Sequence, residues 1–204
     1  STSVVRTSGA MGFSIDSSQL SSISAPLDKV NLRGYSHNHT TDILNFHANG
    51  IKGADISYVD GTPNPSSNWQ IGIDQNGTFP FDGNIQEVVI YDAPLSDSDR
   101  EKTNSYFALK YGMTLDQTTA TDYVSSDGST LMWDSSVNTS YNNDIFGIGQ
   151  DDLSALDQRV AKSDNPGAIF TVALDYDFIT ANNDAGRKTA FEDDLDFLTF
   201  ANDG

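Results

Sequence analysis

The chain has no cysteine, few cationic side chains, almost no glutamate and no apolar run long enough to cross a membrane as a helix. Each shortage narrows the reading. Without cysteine there is no disulfide framework, no thiol nucleophile and no thiolate metal site. An extracellular domain of this kind must hold together by its core, or by its core and a bound ion, as many bacterial exoproteins do. Lys and Arg number 11 against 29 Asp and Glu, so the formal net charge is −18 and the pI about 4.1. That field repels a phosphate backbone and excludes nucleic acid as a partner. Catalytic signatures are missing as well: there is no Gly-x-Ser-x-Gly elbow, and the three histidines fall within residues 37–47. The chain reads as a non-enzyme.

Glutamate occurs only at Glu87, Glu101 and Glu192, so 26 of the 29 acids are aspartate. Aspartate favours turns over helices and strands, and it is a short, hard oxygen ligand. An Asp-rich, Lys-poor surface suits a saline or calcium-containing medium, which places the protein outside the cell. Opening at Ser1, the chain reads as a segment of a larger multidomain protein.

Turn dipeptides are dense: Asn49-Gly50, Asp60-Gly61, Asn76-Gly77, Asp82-Gly83 and Asp127-Gly128. Short β-branched or alternating runs separate them, which predicts an all-β, antiparallel β-sandwich with one or two short helices. The expected strands are Met11–Asp16, Asp42–Ala48, Ala54–Val59, Trp69–Asp74, Asn84–Tyr91, Thr130–Trp133, Asp144–Ile148, Gln158–Ala161, Ala168–Leu174 and Phe197–Ala201. One helix starts at the capping sequence Ser96-Asp-Ser-Asp and stops at Tyr111-Gly112; a second is expected from Asn182 to Phe191. Residues 1–204 read as a single composite ligand-binding domain with a soft boundary at the polar run 116–121.

Two stretches carry a resemblance. Phe81-Asp-Gly-Asn-Ile-Gln-Glu-Val-Val-Ile-Tyr-Asp-Ala-Pro-Leu-Ser-Asp-Ser-Asp-Arg, running on to Tyr106-Phe-Ala-Leu-Lys-Tyr-Gly112, resembles the end of a laminin-G or concanavalin-like domain. There a late strand leads to a short helix opening Leu-Ser-x-x-x-Arg. Ser126-Asp-Gly, Met132-Trp-Asp134, Tyr141-Asn-Asn-Asp-Ile-Phe-Gly-Ile-Gly-Gln-Asp-Asp152 and Asp157-Gln-Arg-Val-Ala-Lys-Ser163 resemble the module that follows such domains in bacterial surface proteins. The combination is similar to the peptide-binding domains of calcium-dependent repeats-in-toxin adhesins of the ice-binding type. The resemblance implies a calcium-dependent sandwich that captures a short acidic peptide C-terminus. The chain departs from that pattern at Gln150, where an arginine is expected.

Among candidate groups, Glu87 stands alone on its strand, whereas the glycosidases of concanavalin-like fold need a carboxylate pair. His37-Asn38-His39 has no third ligand at metal spacing apart from His47. Gly147-Ile-Gly149 reads as close backbone packing or a bulge. The acidic turn is the better candidate. Asp144, Asp151 and Asp152 are the expected calcium ligands, and Gln150, Asp151 and Asp152 the expected ligand-binding residues, with Ca2+ as the cofactor. Two ligand classes remain open, each on a host or neighbouring cell surface: an acidic peptide end bridged by calcium, or a glycan bound by a lectin-type site with Trp69 or Trp133 against the sugar.

Overall fold

The computed structural model describes residues 2–5, 10–14, 18–24, 29–59, 71–73, 77, 80–182 and 189–204, for the most part with their side chains. Among them the protein is all-β and antiparallel, with one helix. The chain divides into two compact units, Ser1–Leu27 with Arg33–Leu95, and Asp28–Leu32 with Ser96–Gly204. The division at Leu95/Ser96 replaces the boundary expected at 116–121. Its cause is the helix, whose buried residues belong to the core of the second unit.

In the first unit β1 (Thr2–Val5), β2 (Ala10–Ser14) and β3 (Ser18–Ser24) form one sheet in sequence order. A second sheet contains β4 (Arg33–Asn38), β5 (Ile43–Ala48), β6 (Ile51–Lys52) and β7 (Ile56–Ser57). β5 is central and buried on both faces. Leu44, Phe46 and Ala48 pack with Tyr58, and on the alternate face the Asn45 amide donates to Asp55 at 2.6 Å. Asn49 and Gly50 both take positive φ, 48° and 93°, as a two-residue hairpin turn with right-handed strand twist requires. Residues 84–91, expected as a strand, pair with no strand among the described residues. Ile85, Val88, Val89, Ile90 and Tyr91 stay 46–61% exposed. A β-prone run becomes a strand only when a ladder partner satisfies its backbone. Of Trp69–Asp74, residues 71–73 form bends and the rest lie outside the described residues.

The second unit opens with α1 (Asp97–Tyr111). The hydroxyl of Ser96 accepts from the Asp99 N–H at 3.0 Å, Asp97 and Asp99 occupy the positive end of the helix dipole, and Lys110 the negative end. Gly112 ends the helix at φ 61°, its N–H reaching Leu109 O and that of Met113 reaching Ala108 O. A Cβ on Gly112 would stand 2.1 Å from the Lys162 carbonyl oxygen, so glycine is required there twice over.

Beyond the helix come β8 (Tyr123–Val124), β9 (Leu131–Trp133), β10 (Asn143–Asp151), β11 (Leu156–Gln158), β12 (Val160–Lys162), β13 (Thr171–Ala173) and β14 (Phe197–Asn202). They pair as β8–β9, β11–β10–β14 and β12–β13. β10 buries both faces. Ile145 joins Leu109, Leu115, Tyr123 and Trp133, while Phe146 and Ile148 point the other way to Ala161, Val172 and Phe200. Gly147 and Gly149 allow β14 to lie close: a Cβ on Gly149 would stand 2.2 Å from the Phe197 ring, and one on Gly147 2.5 Å from Leu198 O. A register shift between Asn143 and Phe146 accompanies the positive φ of Asp144. Ser105 ties helix to hairpin, its hydroxyl donating to Glu101 O and accepting from Val124 N. The helix expected at Asn182–Phe191 falls largely on residues 183–188, outside the described residues; Asn182 itself lies in a turn.

Candidate functional site

Asp144 and the Asp151-Asp152 pair sit at opposite ends of β10. Seven residues of strand at about 3.3 Å each put them roughly 23 Å apart, too far to share one ion. The expected three-aspartate calcium site is therefore not one site.

Each of these side chains already has partners. Asp151 is fully buried and accepts from the Ser126 N–H at 2.8 Å, the Ser126 hydroxyl and the Ser154 N–H. Gln150 donates to Asp152 at 2.8 Å, and the Asp152 N–H donates to Asp194 at 2.8 Å. Asp144 accepts from Asn165, from Asn202 at 2.6 Å and from Ser163 at 3.2 Å. Burial works to raise the Asp144 pKa, but these hydrogen bonds and the charge of Lys29 outweigh it and hold the carboxyl below its usual range. Among the described residues no group of three or more His, Asp or Glu side chains is arranged to hold a metal.

The histidines do not converge either. His37 Nε2 meets Tyr58 O at 3.2 Å, and His47 Nε2 meets the Ser36 hydroxyl at 3.2 Å on the neighbouring strand. Trp69 lies outside the described residues.

A different place in the second unit has the form of a binding site. The β8–β9 loop is closed by Asp127, which accepts from the hydroxyls of Ser125, Ser129 and Thr130 and from the N–H groups of Ser129 and Thr130. The Ser125 hydroxyl first, then the donors of Thr130 and Ser129, hold its carboxyl well below the usual range. β9 then delivers Trp133, 6% exposed, opposite Tyr123 in the ladder. Past Trp133 the chain turns at Asp134, whose carboxylate accepts from Ser136 and Val137 and whose carbonyl oxygen accepts the Asn138 side-chain amide at 2.8 Å. Ser135 is fixed to Asp122 by its N–H at 2.8 Å and its hydroxyl at 2.7 Å.

These turns and the loop at residues 117–121 enclose a cavity of about 180 Å³, its wall formed by Trp133 and Ala120 together with the amides of Gln117, Asn138 and Asn142 and the hydroxyls of Ser135 and Thr139. No charged side chain lines it. The Gln117 amide is spent on Thr121 in both directions, at 3.0 and 3.1 Å. The indole Nε1 of Trp133 is buried with no hydrogen-bond partner, an uncommon state for a native donor. Trp133 was legible in the sequence as a candidate. Asn138, Thr139 and Asn142 were not, and the polar run Asn138-Thr-Ser-Tyr-Asn-Asn143 beside a tryptophan was the signal for them.

The family model described as "Domain of unknown function (DUF8202)" matches residues 99–204, which is more than half of the chain and nearly all of the second unit. No curated protein and no solved structure matches, so the resemblance to laminin-G-like and repeats-in-toxin modules rests on the motifs quoted above.

Proposed function

The chain belongs to the DUF8202 family, and we propose that it is a non-catalytic carbohydrate-binding module of an extracellular bacterial adhesin, with the Trp133 cavity as its ligand site. One observation carries this reading: in a chain of net charge −18, the cavity is lined only by an aromatic ring, a methyl group, amides and hydroxyls. Sugars offer an apolar ring face and hydroxyls that both donate and accept, which is what such a wall complements. An anionic ligand gains nothing there and is repelled by the surrounding acid.

The alternative is a calcium ion at the acidic turn that receives a peptide carboxylate. Calcium at Asp151 would have to displace hydrogen bonds from Ser126 and Ser154 inside a fully buried site. The geometry favours the carbohydrate reading for that reason. The location outside the cell and the membership of a larger surface protein rest on composition: abundant aspartate, no cysteine and scarce lysine.

The deciding experiment is a glycan array run beside a library of peptide C-termini, each with calcium and with chelator. Binding to neutral glycans in both buffers is expected. Capture of free but not amidated peptide ends, lost in chelator, would replace this function with the calcium-dependent one.

A further inference from the structure

The Trp133 cavity also restricts how a glycan can enter, an argument that rests on the carbohydrate reading above. A cavity of about 180 Å³ is well below the range of roughly 300–1,000 Å³ that holds drug-sized ligands. At about 30 Å³ of liquid per water it has room for some six waters, which is one sugar ring with its hydroxyls. A polymer cannot thread through it. Only the end of a chain, or a single-residue branch, can be seated.

The aromatic residue has an unusual part in this. Glycan grooves that run along a polymer expose a flat ring for stacking, but Trp133 is 6% exposed and is held in the core with Tyr123, Met132 and Ile145. What it has left to offer is the indole N–H, buried and unpartnered. That group donates only, so its complement is a ligand oxygen.

The remaining wall divides into donors and acceptors. The Asn138 amide nitrogen is spent on Asp134 O, which leaves its carbonyl oxygen to accept. The Asn142 oxygen accepts from Asn143, which leaves the Asn142 nitrogen to donate. The Thr139 hydroxyl, with no partner among the described residues, does either. These groups are held before any ligand arrives, because Asp122 and Asp134 pin the turn on either side of Trp133. A preformed site loses little entropy on binding.

We propose that the cavity binds a single neutral sugar residue at a glycan terminus, without a metal ion, and that the Trp133 indole N–H, donating to a sugar oxygen, is its specificity determinant.

The test uses ¹⁵N-labelled protein titrated with methyl glycosides of neutral hexoses and N-acetylhexosamines, then with oligomers of each, in calcium and in chelator. The chain has two tryptophans, so two indole resonances report, and Trp133→Phe assigns one of them. The expected result is that at least one methyl glycoside shifts the Trp133 indole resonance. It binds within about threefold of its oligomer, and equally in both buffers. Trp133→Phe keeps a ring but removes the donor, and affinity falls at least tenfold. Because a core change at Trp133 can disturb folding, Asn142→Ala, at the half-buried rim, serves as the second variant and should weaken binding severalfold with its spectrum otherwise intact.

Oligomers that bind while every methyl glycoside fails would overturn the terminal-residue proposal and leave the carbohydrate reading standing, as would a Trp133→Phe variant that binds like the parent. A requirement for calcium would overturn the metal-free part. If no sugar of any length moves either indole resonance, both the proposal and the reading fall.

Discussion

The backbone N–H and the hydroxyl of Ser126 donate to separate oxygens of the Asp151 carboxylate, joining residues 25 positions apart in sequence. The β8–β9 loop is thereby held to the end of β10. Asp151 is fully buried, and the Ser154 N–H completes its shell.

Asp151→Ala leaves those donors buried without an acceptor. A loss of about 3 kcal/mol is expected, since hydrogen bonds to a charged group contribute about 1.5–3 kcal/mol each and stranded donors cost about 1–3 kcal/mol. For a unit of this size that is roughly 10 °C of Tm. Urea denaturation of parent and variant measures it. A change under about 1 kcal/mol would show that the carboxylate is not the clamp described.

Gly149→Ala places a methyl group 2.2 Å from the Phe197 ring and 2.8 Å from Asp196 O. The ladder between β10 and β14 must open, at a cost of about 1–3 kcal/mol. The same change at Gly53 meets mainly the movable end of the Ile23 side chain at 3.0 Å and should cost less. A reversed order of the two melting temperatures would contradict the packing at β14.

Calcium should leave the melting temperature unchanged. The oxygens of Asp144, Asp151 and Asp152 already accept hydrogen bonds, and β10 separates the first from the other two. Thermal melts in millimolar calcium and in chelator are expected to agree within about 1 °C. A rise of several degrees, abolished by Asp152→Ala, would restore the acidic turn as an ion site, because a ligand at a hundredfold excess over its Kd stabilises by about 2.7 kcal/mol.

Acid should weaken the fold through Asp127 and Asp144. Both carboxyls lie below their usual range in the folded protein, Asp127 chiefly through the Ser125 hydroxyl. A depressed folded pKa contributes stability that is complete above the unfolded value of about 3.9 and is lost as pH falls through the folded value. Relief of repulsion among the acidic side chains acts in the opposite sense but is nearly equal in parent and variant. Stability measured from pH 5 down to pH 2.5 should therefore fall more steeply for the parent than for Asp127→Asn. Parallel curves would remove Asp127 from this account.

The parts of the fold that were legible in the sequence are those encoded locally. Ser96, Asp97, Asp99 and Gly112 bracket α1 because caps and dipole complements act within one turn. β5, β9, β10 and β14 lie within a few residues of the expected runs. The run at 84–91 was misread because alternation shows that a segment can pair, not that a partner is present. The site was legible only at Trp133. Whether Asp151 faces solvent or a serine 25 residues away is decided by tertiary packing, and aspartate looks the same in either role. The cavity wall comes from separate turns that no spacing rule links.

Gly112 sets a limit on how this architecture can vary. Its φ of 61°, the Lys162 oxygen against its missing side chain and the bond from Asp164 N to its carbonyl at 2.8 Å fix the end of α1 against the strand of Lys162. The start is fixed by Ser96. One residue inserted between them would advance the far end by about 1.5 Å and rotate it by about 100°, carrying the glycine out of its slot. The helix therefore behaves as a spacer of set length, and any lengthening of the domain has to be absorbed by its surface turns.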